Sequence, residues 1–293
     1  MLRAYGWGPL LNLGWFRFRR PFTLLNLVFT SLVFVPRLRL PAAQLGLVKR
    51  SIRLLAPDRD SAVLDVACGR GASSFTIANL HPQTQVTGVD LLPQSVDVAR
   101  TLYGNAPNLT YSQGDATKLD LPAASFDRVL CLEAAFHFPD RAAFLAEVRR
   151  VLRPGGRVLI VDFMAHDDAD PAIWDSGEAA IVRETWQFER FSSRAEYRAN
   201  AAAAGFDVLE MRDWSAHVTE PVQSLFNLVA WLGRRRWGRR VMTIQNPLLR
   251  SLSADDWVAF GRASKAHKRV RASSSYTALV LAPSASTPSD DAG

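Results

Sequence analysis

The run VLDVACGRG, Val63 to Gly71, constrains this chain more than any other stretch of it. Apolar residues at successive positions, with the single carboxylate of Asp65 among them, read as a short strand covered on both faces. The strand leads into a turn carrying two glycines, Gly69 and Gly71, where the missing side chains let backbone amides approach a ligand and let the next helix pack closely. The dinucleotide fingerprint would place a third glycine where Ser74 stands, and it has no carboxylate four residues before the first glycine. A nicotinamide cofactor therefore loses ground.

From Ser61 onward the chain alternates between strand and helix patterns. Strands are expected at Val63 to Ala67, Gln85 to Val89, Leu109 to Ser112, Phe126 to Leu132 and Arg157 to Asp162, and helices at Ser73 to Leu80, Gln94 to Leu102 and Arg141 to Leu152. Basic residues in the last turn and then Pro154-Gly155-Gly156 stop the third helix. A sixth strand is expected at Phe206 to Met211 and a last one at Tyr276 to Leu281. This is an α/β chain with a parallel, doubly wound sheet, whose ligands sit at the C-terminal ends of the strands. With 293 residues, 48% of them hydrophobic and 22% charged, the chain has enough for one large domain, and disordered, collagen-like and coiled-coil classes are excluded. Its two cysteines, Cys68 and Cys131, make neither a disulfide framework nor a four-ligand zinc site and point to a reducing compartment. No His, Cys and Asp cluster has metal-ligand spacing, so no metal is expected.

Carboxylates gather at those strand ends. Asp90 closes VTGVD, 19 residues beyond Gly71, where a carboxylate can accept both hydroxyls of a ribose. Gly114-Asp115-Ala116 offers a side-chain acceptor and a backbone amide to an adenine edge.

Four motifs, VLDVACGRG, VTGVDLLPQSVDVAR, GDATKLDLPAASFDRVLCLEAAFHFPDR and FLAEVRRVLRPGGRVLIVDF, succeed one another between Val63 and Phe163. In this order they resemble the class I S-adenosylmethionine-dependent methyltransferases, in particular the small-molecule branch of sterol, tocopherol, quinone and polyketide or sugar O-methyltransferases. A weaker match, SRAEYRANAAAAGFDVLEMRDWSAHV, extends the resemblance to Val218. It implies a Rossmann-like, doubly wound, seven-stranded sheet and S-adenosylmethionine as cofactor. Carried over by residue, it puts the methionine part against the turn from Asp65 through Ala67 and Gly69 to Gly71, and the ribose on Asp90. The adenine would lie between Leu91 and the Asp115-Ala116 edge, and backbone at Leu132 and Glu133 would meet the methionine amino group. Ala67 stands where many relatives have glycine. A sulfonium cation and a zwitterionic amino acid call for carboxylates and backbone dipoles, not for a pyrophosphate cradle.

Methyl transfer needs a nucleophile held about 3 Å from the methyl carbon and a group to take its proton. His137, after the fourth strand, and Asp162, closing the fifth, are the catalytic candidates: His137 as base, Asp162 orienting it or sharing the work. The plainer alternatives are a packing or capping histidine before Pro139-Asp140 and a capping aspartate. Phe136, Trp186 and His217 are the candidate substrate-pocket residues, whereas His81, His166 and His267 read as surface histidines and both cysteines as small buried residues.

The substrate class must come from the segments around the core. Phe22 to Val35 is 14 residues without a charge between arginine clusters, shorter than the roughly 18 to 20 residues a spanning helix needs. No small-residue cleavage site comes after it. An interfacial helix and a helix that closes the active site both fit. Between the sixth and last strands lie roughly 60 residues, a length that is normally functional. They include the apolar Val222 to Leu232 and then RRRWGRR, Arg234 to Arg240, with five arginines in seven residues. Such segments can form a lid and a membrane-facing collar around a lipophilic acceptor, or an ordinary cap helix with a solvated arginine face. The expected organisation is an N-terminal segment over 1–41, a methyltransferase domain over 42–283 with its cofactor core at 61–165 and a cap insertion at about 214–274, and a disordered tail over 284–293.

The expected activity is methyl transfer to a hydroxyl, less readily a carbon, of a polyketide, isoprenoid, quinone or sterol-like molecule. The expected setting is cytoplasmic, peripheral at the inner face of the membrane, and oligomeric state is not legible. The net charge of +7, from 35 Lys and Arg against 28 Asp and Glu, also admits a nucleic-acid-directed enzyme. Against that stand the absence of an RNA-binding module and of an Asn/Asp-Pro-Pro-aromatic run after the fourth strand. A non-catalytic cofactor-binding scaffold is the third reading.

Overall fold

The computed structural model describes residues 12–16, 36–245 and 247–285. The apolar segment Phe22 to Val35 and the tail from 286 onward lie outside the described residues, and so does the expectation attached to each. The chain divides into two compact units. One comprises Val48–Asp162, Arg194–Arg212 and Ala278–Gly293, and the other Met1–Leu47, Phe163–Ser193 and Asp213–Thr277. The long helix α1, Pro36–Leu55, runs without a break across the boundary expected at residue 41, and the second unit draws on three stretches of chain rather than on a terminal segment and a single insertion.

The first unit is built on the sheet. The sheet and its helices are β1 Ala62–Val66, α2 Ala72–Leu80, β2 Gln85–Asp90, α3 Pro93–Tyr103, β3 Leu109–Gln113, β4 Phe126–Leu132, α4 Arg141–Val151, β5 Leu152–Ala165, α6 Arg194–Ala203, β6 Phe206–Asp213 and β7 Ser274–Pro283, of which residues 163–165, 213 and 274–277 fall to the other unit. The single sheet has the order β3-β2-β1-β4-β5-β7-β6 and is mixed. The pairs β1 with β2, β1 with β4, β2 with β3 and β4 with β5 are all parallel, as the alternating pattern predicts. Central strands carry the apolar load: Val63, Leu64, Val66, Val129, Leu130, Val158, Leu159 and Ile160 are fully buried. Each such side chain contributes about 1.5–3 kcal/mol of burial. Because the chain moves outward in opposite directions from β1 and β4, the C-terminal ends of these two strands open a crevice, the standard ligand position in such sheets.

One boundary differs from expectation. Helix α4 ends at Val151, and Leu152 already pairs with Phe126, so Pro154-Gly155-Gly156 lies inside β5 instead of behind the helix. The register jumps from Phe126 with Leu152 to Arg128 with Arg157, and the extra residues form a bulge in which Gly155 takes φ +75°. The proline and glycines break the ladder rather than the helix.

The second unit is mainly helical, with α5 Gly177–Trp186, α7 Thr219–Gly233, α8 Arg236–Gln245 and α9 Ala254–Ala272. Helix α9 packs against α5 and α7. It begins at a capping box in which Ser253 and Asp256 each bond the other's backbone amide. Among the described residues no helix is long and apolar enough to cross a membrane.

Candidate functional site

The crevice at the ends of β1 and β2 is shaped by a chain that cannot continue straight. Ala67, Gly69 and Gly71 all take positive φ, at +54°, +56° and +82°, which folds the turn back on itself before α2 begins. At Gly71 no side chain fits: a Cβ would lie 2.5 Å from the Tyr111 hydroxyl, which donates to the Gly71 carbonyl at 2.7 Å. Glycine is required there by space as well as by φ.

Two buried carboxylates hold this turn. Asp90 accepts the Gly69 amide on Oδ2 at 2.8 Å and the Leu92 amide on Oδ1 at 3.0 Å, tying the turn after β1 to the start of α3, where Pro93 opens the helix. Asp65 accepts the hydroxyls of Ser73 and Ser74 on Oδ2, both at 2.6 Å. Burial pushes the Asp65 carboxyl up to about 6; the two serine hydroxyls oppose the change, and the neighbouring charge of Asp90 adds to it. Neither carboxylate is paired with a lysine or arginine among the described residues. Two like charges with no cation between them form a natural seat for a positively charged ligand. Ser73, Ser74 and Tyr111 belong to this site although no motif points to them. Their only sequence signal is position, at the start of the helix after the glycines and on the third strand.

The other cofactor candidates line the same strand ends. Leu91 is 59% exposed beside Asp90. Asp115 is exposed, with its Oδ1 accepting both the amide and the hydroxyl of Thr117 at 2.8 Å, bonds that hold its carboxyl below the usual range; Ala116 next to it is buried. At the end of β4, Leu132 and Glu133 are half-buried. Glu133 takes φ +52° while its amide donates to the Val161 carbonyl at 2.7 Å, an uncommon conformation for a residue other than glycine. Cys68 and Cys131 are buried, and burial pushes both thiols up, which leaves them unreactive.

Immediately beyond Glu133 a single 3₁₀ turn, Ala135–His137, projects the exposed His137. Asp162, fully buried in β5, accepts the Phe136 amide at 2.7 Å and so fixes the residue before the histidine. Arg141 donates to the Phe136 carbonyl at 2.9 Å, and the Phe136 ring lies 3.9 Å from the His137 ring. The helix cap at this point is Asp140, which accepts the Ala143 amide, so the capping alternative for His137 does not apply. Asp162 has no exposed surface and holds this turn from within the core. Its buried surroundings include Arg141 and Tyr197, whose hydroxyl is pushed well up by burial and by the Asp162 charge.

In the helical unit the expected pocket residues have separate neighbours. His217 donates from Nδ1 to the Phe16 carbonyl at 3.0 Å and stacks on Trp15 at 4.3 Å, with Trp214 edge-on to the same indole. Trp186, at the end of α5, meets His267 of α9 edge-on at 5.7 Å, and Phe226 of α7 meets the same imidazole at 5.4 Å. His267 is therefore not the surface histidine the sequence suggests. Burial first, then Arg271, pushes its pKa down to about 4. Phe136 belongs to the sheet unit.

Comparison with known proteins agrees with this geometry. A family described as "Methyltransferase domain" matches residues 64–160. The 2-methyl-6-phytyl-1,4-hydroquinone methyltransferase of Synechocystis is 33% identical over 172 residues, 58% of this chain and 52% of that protein. The O-methyltransferase rstn1 of Aspergillus nomiae is 30% identical over 163 residues, 54% of this chain and 70% of that protein. Of several other curated relatives the chain spans only 56% to 61% of the length. The crystal structure of geranyl diphosphate C-methyltransferase from Streptomyces coelicolor A3(2) superimposes with a TM-score of 0.67 at 14% identity, covering 96% of this chain and 91% of that one, which is a likeness of fold. The family match over β1 to β5, with 30% identity across 70% of the Aspergillus protein, shows that the chain belongs to the S-adenosylmethionine-dependent methyltransferases.

Proposed function

We propose that this protein transfers the methyl group of S-adenosylmethionine to a hydroxyl of a lipophilic small molecule of the polyketide, isoprenoid, quinone or sterol-like kind. The observation that carries the reading is the pair of buried carboxylates, Asp65 and Asp90, converging without a cation on a turn of three positive-φ residues. The residues present fit the cofactor, which supplies a methyl carbon already activated by its sulfonium. Asp90, still able to accept from each oxygen, suits the ribose hydroxyls, and the backbone dipoles of the glycine turn suit a carboxylate. Leu91 and the Asp115-Ala116 edge suit a flat base, while the strained Glu133 backbone suits an ammonium group.

His137 takes the proton of the acceptor hydroxyl. It is exposed at the mouth of the strand ends, whereas Asp162 is sealed beneath it and acts by holding the turn. Phe136, next to His137 in the sheet unit, is assigned to acceptor contacts. The lipophilic acceptor is supported by the names of the relatives, an O-methyltransferase and a methyltransferase of a phytyl hydroquinone. An acceptor of that kind is dissolved in lipid, which brings with it a peripheral contact with the inner membrane face.

His137→Ala should lower turnover by roughly 10²- to 10⁴-fold with the cofactor dissociation constant unchanged. Single-turnover assays on lipid extracts, read by mass spectrometry for a product one methylene heavier, measure the first quantity and calorimetry the second. Turnover at the wild-type rate would remove His137 as the base.

A further inference from the structure

The residues from 221 to 254 contain six arginines and not one aspartate, glutamate or lysine, so this short stretch carries a charge of +6 out of the chain's +7. Its centre is α8, RWGRRVMTIQ. The inward side of α8 is fixed. Met242 is buried in a cluster with Val229, Leu249 and Trp257, and Gly238 is pressed so closely against the Leu232 carbonyl that no side chain fits. That side consumes the i and i+4 positions 238 and 242, and it leaves Trp237, Val241 and Ile244, spaced i, i+4, i+7, along an adjoining flank. They are exposed by 53%, 38% and 75%. Trp231, 45% exposed at the end of α7, meets the Trp237 ring edge-on at 5.7 Å, and Arg235 lies 3.9 Å over the Trp231 face. Arg236 and Arg240 are exposed beside the stripe.

We propose that this face docks on an anionic lipid surface. Helix α8 lies in the plane of the interface, with Ile244, Val241 and Trp237 below the headgroups, Trp231 at their level, and Arg235, Arg236 and Arg240 on lipid phosphates. Exposed aliphatic side chains distinguish this face from a nucleic-acid track, in which bases stack on rings and phosphates meet cations. A second copy of the chain is disfavoured by charge, because it would set one arginine cluster against another. The docking rests on and deepens the peripheral membrane contact proposed for this protein, and it does not depend on which acceptor is methylated.

The test is flotation of the full-length protein with vesicles of phosphatidylglycerol and phosphatidylcholine, against phosphatidylcholine alone. The wild type should float with the anionic vesicles only. Trp237→Asp with Ile244→Asp should weaken binding at least about tenfold, and replacing Arg235 or Arg240 by Gln about fivefold each. Circular dichroism and unchanged methyl transfer to a water-soluble acceptor show that the exposed-site variants remain folded and active, so docking can fail while the methyl-transfer reading stands. Unaltered flotation of the aspartate variant overturns the proposal. So does binding to RNA without vesicle binding, or a dimer dissolved by Ile244→Asp.

Discussion

Asp65 is a carboxyl group whose folded environment works against its own charge. Its pKa is raised from 3.8 to about 6, so its contribution to stability is complete below about 3.8 and is lost as pH rises through 6. At pH 7 to 8 the ionised group costs the cofactor-free protein about 3 kcal/mol, since a tenfold change in a proton affinity corresponds to about 1.36 kcal/mol. Asp65→Asn should therefore raise the melting temperature at pH 8 and leave it almost unchanged at pH 3. Equal effects at the two pH values would mean that the group is not buried as described. In the proposed site Asp65 faces the cationic part of the cofactor, so the same substitution should weaken cofactor binding. The asymmetry between Asp65 and Asp90 could not be read from the motif. Both are carboxylates at strand ends, and only the structure reveals that Asp65 accepts two serine hydroxyls while Asp90 accepts two backbone amides.

Among elements, those with strong periodicity were legible and those assembled from small residues were not. Strands β1, β4 and β5 announce themselves as apolar runs, and the glycines after β1 mark the turn. The 19-residue α9 escaped because its buried side includes Trp257, Gly261, Ser264 and Val270, only two of them large and apolar. Small residues there let α7 approach, and the contact is sealed by Gln223, whose Nε2 donates to the Ser264 carbonyl at 3.0 Å. Pro154-Gly155-Gly156 misled for a different reason, since a bulge and a helix stop use the same residues. The meeting of α5, α7 and α9 around His267 has a measurable consequence. The imidazole pKa is lowered from 6.5 to about 4, so the stability it permits is complete above 6.5 and is lost as pH falls toward 4. A change of that size corresponds to about 3 kcal/mol. Urea melts at pH 7 and pH 4.5 should show that loss in the wild type and a smaller one in His267→Phe. An identical pH dependence in the two proteins would place His267 in water.

At the scale of the whole molecule, charge and apolar surface are segregated by task. The carboxylates Asp65 and Asp90 sit at strand ends of the sheet unit, while most of the positive excess lies in the 221 to 254 stretch of the helical unit. The sheet order and the position of the crevice derive from the alternation of strands and helices, and were legible to that extent. The arrangement of the helical unit was not, because it gathers three separated stretches whose pairing no local pattern encodes. In the proposed function S-adenosylmethionine binds in the crevice after β1 and β2. Calorimetric titration of the cofactor into the wild-type protein and into Asp90→Ala tests it most directly. Saturable one-site binding by the wild type, weakened at least about tenfold in the variant by loss of hydrogen bonds to a charged group, is the predicted result. No binding by the wild type, or equal affinity in both proteins, would contradict it.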